Sequence, residues 1–314
     1  MEVVSGHPVQ EPIAKVGMSN SGRLPLTWRA VPRLAYPFNA SHFYRAHVRE
    51  GAAAEELAEW AALPSASELP SFRLGRVDDG EQEIELPFSF PFFGEVATRA
   101  NVSSNGFLSF DPDYVKGGFR GKPMGSPDQP NGLLAPFWAD LVCSNRTRIY
   151  AASVPDSDGV DSFVVRWEHM SFFDQDRADL ASLDTVSFQA RLRADGLVVF
   201  RYKDMAREER RYSEARVGAE TVDGEFGTDV AGLPFASGVD IAVSLVPWAL
   251  AQTPTVGSLA KGQSAEVVFK LTGDERRQGW IVVEGSDASG GWSVTHNVRV
   301  EQLRFGYQWQ AGAR

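Results

Sequence analysis

The run Asp156-Ser-Asp158-Gly159-Val-Asp161 spaces three carboxylates around a glycine, an arrangement with which a short loop can wrap oxygen ligands about a hard cation such as calcium. It is shorter than an EF-hand loop and lacks the closing glutamate. Asp, Ser and Gly are also what a tight turn between two strands uses, so a plain hairpin loop between RIYAAS and SFVVRW competes with the metal reading and is preferred. Calcium is the one cofactor the sequence suggests. The other acidic groups, Asp111 with Asp113 and Asp174, Asp176 and Asp179, read as solvated loops.

Catalytic chemistry has little to stand on. His42 and His47 are the one histidine pair near metal-ligand spacing, and no carboxylate cluster or HExxH pattern accompanies them. Cys143 is the only cysteine, which excludes a disulfide framework and a thiolate metal site, and its neighbours Trp138, Leu141 and Val142 suit a small buried hydrophobe. A serine nucleophile would want a GxSxG elbow, which does not occur. Paired acids of the glycosidase kind leave no local signature, so Asp140, Glu168 and Glu220, which end or follow expected strands, are the carboxylates to inspect for that chemistry. The chain reads as a non-enzyme.

Charge narrows the partners. The net charge of −10 repels a phosphate backbone, and the densest basic stretch, Arg207 to Arg216, mixes Glu208, Glu209 and Glu214 with its arginines; it is assigned no ligand. Nucleic acid is excluded. No apolar run approaches the roughly 18 to 20 residues needed to cross a bilayer, and residues 1–30 carry no export signal pattern.

The elements that must position these residues are strands. Ile84, Leu86, Phe88 and Phe90 alternate, placing one strand face in a core. Asn105-Gly106 between NVS and FLSF, and Asp195-Gly196 between VSFQARLR and LVVFRY, are hairpin turns, because both residue types tolerate positive φ. Lys116 to Pro130, rich in Gly and Pro, reads as a long surface loop. The aromatic set Phe88, Phe90, Phe92, Phe93, Phe107, Phe110, Phe137, Trp138 and Trp167 reads as core and not as a sugar-stacking platform; Phe92-Phe93 and Phe172-Phe173 are the exceptions, where one of each pair should be exposed. Ile13 to Val31 reads as strand, turn, strand: a hairpin without a sheet. Gly51 to Leu63 reads as the single helix, stopped by Pro64. From about Trp248 some four strands follow, too few for a closed sandwich of about seven.

LPFSFPFFG (Leu86 to Gly94), NVSSNGFLSF (Asn101 to Phe110) and PNGLLAPFWADL (Pro130 to Leu141) resemble the nidogen-type extracellular domain of bacterial secreted and surface proteins, and FVVRWEHM, VSFQARLRADGLVVFRY and VGAETVDGEFGT continue the pattern over roughly residues 84–244. SNSGRLPLTW and the stretch Pro247 to Gly273 resemble segments of a bacterial immunoglobulin-like surface repeat. The expected architecture is therefore all-β: two β-sandwiches, one nidogen-like and inserted in or followed by an immunoglobulin-like one, with one short connecting helix. The expected parts are residues 1–33 as the N-terminal hairpin of a discontinuous immunoglobulin-like domain, 34–83 as a linker, 84–244 as the nidogen-like sandwich, and 245–314 as the remainder of the first domain. The resemblance implies an extracellular or cell-surface adhesion or interaction module whose partner is a protein or glycan on a surface. The alternatives are a carbohydrate-binding accessory module, with an exposed aromatic patch near Lys116 to Pro130, and a glycosidase-like enzyme.

Overall fold

The computed structural model describes residues 13–21, 23–34, 44–51, 60, 63–64, 67–73, 75–114, 116–155, 159–173, 185–205, 212, 215–235, 241–247, 249–271, 278–287 and 293–301. In chain order the strands are β1 (Ile13–Ser19), β2 (Leu26–Leu34), β3 (Tyr44–Glu50), β4 (Val77–Asp78), β5 (Glu81–Phe92), β6 (Glu95–Ser103) and β7 (Phe107–Ser109). Then come β8 (Leu133–Trp138), β9 (Leu141–Cys143), β10 (Arg148–Pro155), β11 (Asp161–Phe172), β12 (Thr185–Arg193), β13 (Val198–Asp204) and β14 (Arg216–Glu220). Last are β15 (Gly227–Asp229), β16 (Ile241–Pro247), β17 (Ala249–Ala251), β18 (Val256–Leu259), β19 (Ser264–Leu271), β20 (Gln278–Asp287) and β21 (Ser293–Glu301). The one named helical element among the described residues is a 3-10 turn at Pro70–Phe72. The helix expected over Gly51 to Leu63 lies, apart from a few positions, outside the described residues.

The chain divides into two compact units, residues 39–246 and the two chain ends together. The unit built from the ends holds a three-stranded sheet, β1-β19-β17, and a four-stranded sheet, β18-β2-β20-β21. Five strands, not four, follow residue 248. The hairpin expected over Ile13 to Val31 is not formed: β1 pairs with β19 (Val16 opposite Val267) and β2 pairs with β18 and β20, in a different sheet. Asn20 gives the physical reason. It is buried, its Nδ2 donates to the carbonyls of Leu24 and Leu259 at 2.8 Å each, and its main chain bonds Gln263 and Gly262. The turn residues are thus tied to the β18–β19 connection, and a strand leaving that turn enters the opposite sheet.

The inner unit is a sandwich of antiparallel sheets, β3-β16-β13-β12-β11-β9-β4 with β10 alongside β11, and β15-β14-β8-β7-β6-β5. Residues 34–83 do not form a mere linker, because β3 and β4 are the edge strands of the larger sheet. Tyr44 on β3 is fully buried with its ring 5.0 Å from that of Phe93, an anchor that the irregular pattern YRAHVRE conceals. The core sits where the inward rows meet: Trp167 stacks on Phe188 at 5.2 Å, Phe188 meets Phe137 at 5.3 Å, and Trp167 Nε1 donates to the Ser103 carbonyl at 2.8 Å across the layers. Gly106 closes the β6–β7 turn with φ of 78°, and a Cβ there would stand 2.0 Å from the Phe137 carbonyl oxygen, so this turn is pressed against β8 and only glycine fits. Of the aromatic set read as core, Phe90, Phe92, Phe107, Phe110, Phe137, Trp138 and Trp167 are buried, while Phe88 and Phe93 are half-buried. Phe93 adopts a positive φ of 47°, which turns its ring back onto Phe92 and Tyr44.

Candidate functional site

The long stretch between β7 and β8 lies at the surface, as its glycines and prolines suggest, and is tied down onto β14 by a buried ion pair. Glu220, the last residue of β14, has no exposed surface. Its Oε1 accepts from Lys122 Nζ at 2.8 Å, and its Oε2 accepts from the amides of Gly125 at 2.7 Å and Ser126 at 3.2 Å. Lys122 also donates to the Ser126 carbonyl and to Asn131 Oδ1 at 3.1 Å. Burial pushes the Glu220 carboxyl above the usual carboxylate range, and Lys122 with the two amides pulls the other way. A carboxylate with both oxygens occupied in this manner ties the loop to β14.

Further bonds fix the same loop. Asp229 Oδ2, at the end of β15, accepts from the Met124 amide at 3.1 Å, and Glu81 Oε1 accepts from Tyr114 Oη and from the Gly117 amide at 3.2 Å. Gly121 lies so close that a Cβ would stand 2.6 Å from Arg216 Cγ and 2.9 Å from the Trp138 carbonyl oxygen. Between these anchors Phe119 projects, 44% exposed, with the Arg120 guanidinium 5.6 Å from its ring centroid.

On the β14–β15 side is a cleft of about 400 Å³, lined by Tyr212, Arg216, Asp229, Val230, Leu233 and Phe235 among others. That size is at the lower end for ligand pockets. Phe235 is tied into the core by ring contacts to Tyr202 at 4.8 Å and Phe137 at 5.5 Å, so this wall is fixed. Among the described residues Arg216 and Asp229 supply the cleft with one cation and one anion. Burial raises the Asp229 carboxyl, and the Met124 amide and Arg216 lower it.

The residues singled out from sequence are scattered. Asp156 and Asp158 lie outside the described residues; Asp161 is exposed at the start of β11, opposite Pro155 in the β10–β11 pairing, and its carbonyl accepts from the Ala194 amide at 2.9 Å. Among the described residues no group of three or more His, Cys, Asp or Glu is placed to hold a metal ion. Of the three inspected acids, Glu220 belongs to the smaller sheet, Glu168 sits on β11 of the larger one with its Oε1 3.4 Å from Arg166, and Asp140 lies in the β8–β9 connection. Cys143 is buried, and burial, with Asp78 adding, pushes its thiol up to about 12. His47 is exposed on β3, and His42 lies outside the described residues.

Two features escaped the sequence reading. The strand VSFQARLR was read for one face only, yet Gln189 and Arg191 on the other face are also buried, as are Arg166 and Arg201 beside them; Arg166 donates to Gln189 Oε1 at 2.9 Å and lies 4.2 Å from the ring of Trp60. Arg216 was set aside with its mixed-charge neighbours, and nothing local distinguishes it; only the pairing of β14 with β8 and β15 brings it to a cleft.

Among the described residues no helix is long and apolar enough to cross a membrane. No solved structure matches the chain. The family described as NIDO related matches residues 52–234, more than half of the sequence and nearly all of the inner sandwich.

Proposed function

Because the chain belongs to the NIDO related family, we propose that it is a non-catalytic, extracellular protein-interaction module of an exported or surface-held protein, reading its partner at the β14–β15 cleft. The observation that carries this is the loop construction. Lys122, Gly125 and Ser126 close on Glu220, and Met124 on Asp229, so a segment rich in glycine and proline becomes a rigid wall beside the cleft. Rigid loops on a sandwich frame are how such scaffolds present binding surfaces. The unit formed by the chain ends, seven strands in sheets of three and four, we read as an immunoglobulin-like carrier for this module.

A second reading, a carbohydrate-binding accessory module, rests on Phe119, the one large aromatic ring exposed on this loop among the described residues. Selecting a displayed random-peptide library on the immobilised chain, in parallel with a glycan array, separates the two. The interaction reading expects enriched peptides that compete with one another. A dose-dependent glycan signal that is lost in Phe119→Ala, with no peptide enrichment, would replace it by the carbohydrate reading.

A further inference from the structure

We propose that the β14–β15 cleft is a carboxylate-reading subsite, in which Arg216 takes the acidic side chain of an extended segment of the partner protein; this rests on the protein-interaction reading above. Arg216 opens β14 and lines the cleft, and its Nε is enclosed without a hydrogen-bond partner among the described residues. The side chain as a whole is half-buried, so a carboxylate would meet it at the terminal guanidinium nitrogens, which offer two parallel bonds. Asp229, the one acid lining the cleft among the described residues, already feels the Arg216 charge, and its Oδ2 accepts from the Met124 amide. The side chain of Arg216 is set in place by the backbone of Gly121, against which its Cβ and Cγ lie.

Three observations point to a protein segment and not to a polyanion. Among the described residues the cleft has one cation beside one anion, an arrangement that offers a single carboxylate a partner and a second one repulsion from Asp229. A chain of net charge −10 repels acidic polysaccharides and anionic membranes as a whole. The remaining wall is apolar, Val217, Val230 and Leu233 with the rings of Tyr212 and Phe235, and β15 is the terminal strand of its sheet, the position at which extended peptides dock. The ligand expected is an extended stretch with one Glu or Asp next to an apolar residue.

The test uses the full chain, labelled so that the Arg216 Nε–H resonance is followed, titrated with acetyl-Ala-Val-Glu-Leu-Ala-amide and its Gln and Lys counterparts. The glutamyl peptide should move the Arg216 signal and bind about tenfold or more tightly than the glutaminyl one. Arg216→Gln should erase that preference. Asp229→Asn keeps an acceptor for the Met124 amide but drops the repelling charge, so it should tighten the glutamyl peptide several-fold; a merely unfolded variant could not gain affinity. Equal binding of the Glu and Gln peptides, an unchanged preference in Arg216→Gln, no shift up to millimolar peptide, or a trigalacturonate that moves the Arg216 signal when no peptide does, each overturns the subsite. If library-selected peptides bind but perturb residues away from the cleft, the subsite falls while the interaction module stands; if selection returns no peptide, the module itself falls.

Discussion

Replacing Lys122 by Met tests whether the β7–β8 loop is held by charge. The Glu220 carboxylate would keep its two amide donors at 2.7 and 3.2 Å but lose the ammonium at 2.8 Å that offsets complete burial. Breaking one side of a buried pair costs about 3–5 kcal/mol. For a unit of this size that lowers Tm by about 6–12 °C at the low end of the range, read by calorimetry at neutral pH. The pH dependence carries the sign. Burial already holds the Glu220 carboxyl above its ordinary 4.5, and losing Lys122 raises it further. The folded chain then keeps that proton when the unfolded chain has released it, so stability falls as pH rises from 4.5 through the folded value, and below that window the variant approaches the parent. Adding Glu220→Gln, which removes the charge but keeps an oxygen for the amides, should recover much of the loss. A Lys122→Met chain within about 2 °C of the parent at neutral pH, or a double variant no better than the single, would refute the reasoning.

Gly106→Ala puts a Cβ 2.0 Å from the Phe137 carbonyl oxygen at a φ of 78°, so it should cost about 3 kcal/mol or more and show as a Tm loss or absent soluble protein; a shift within experimental error contradicts the close approach. Asn20→Ala strips donors from the carbonyls of Leu24 and Leu259 and should cost about 1–3 kcal/mol, read as faster hydrogen exchange in β2 and β18 with that of β11 and β12 unchanged. Residues 39–246 expressed alone should unfold in one cooperative transition; a non-cooperative melt would contradict an independent core.

The parts of the fold that could be read in advance rest on short-range periodicity. Ile84, Leu86 and Phe90 declare a strand with one buried face, and Asn105-Gly106 declares its turn, because those preferences are set by neighbours along the chain. What stayed hidden depends on residues far apart in sequence. Ser19 to Gly22 carries ordinary turn chemistry, and nothing local says that Asn20 will bond Leu259 and send β2 to another sheet. Glycine and proline suit a free loop and a packed one equally, so the anchoring of residues 116–130 became visible only through Glu220, which meets Lys122 across 98 positions. β12 shows a similar blind spot: Arg191 and Gln189 look solvent-facing by alternation, and their burial follows from what covers that side of the sheet. The cleft belongs to the same class. Its walls come from β14, β15 and the segment after them, and Arg216 is marked only by its place in β14.

A partner protein read at the β14–β15 cleft and its stapled loop would shield both from solvent. Hydrogen-exchange footprinting of the full chain, with and without a library-selected peptide, tests it most directly. Protection should be confined to residues 215–235 and 116–131. Protection centred on other strands, or none under conditions where the peptide binds, would contradict it.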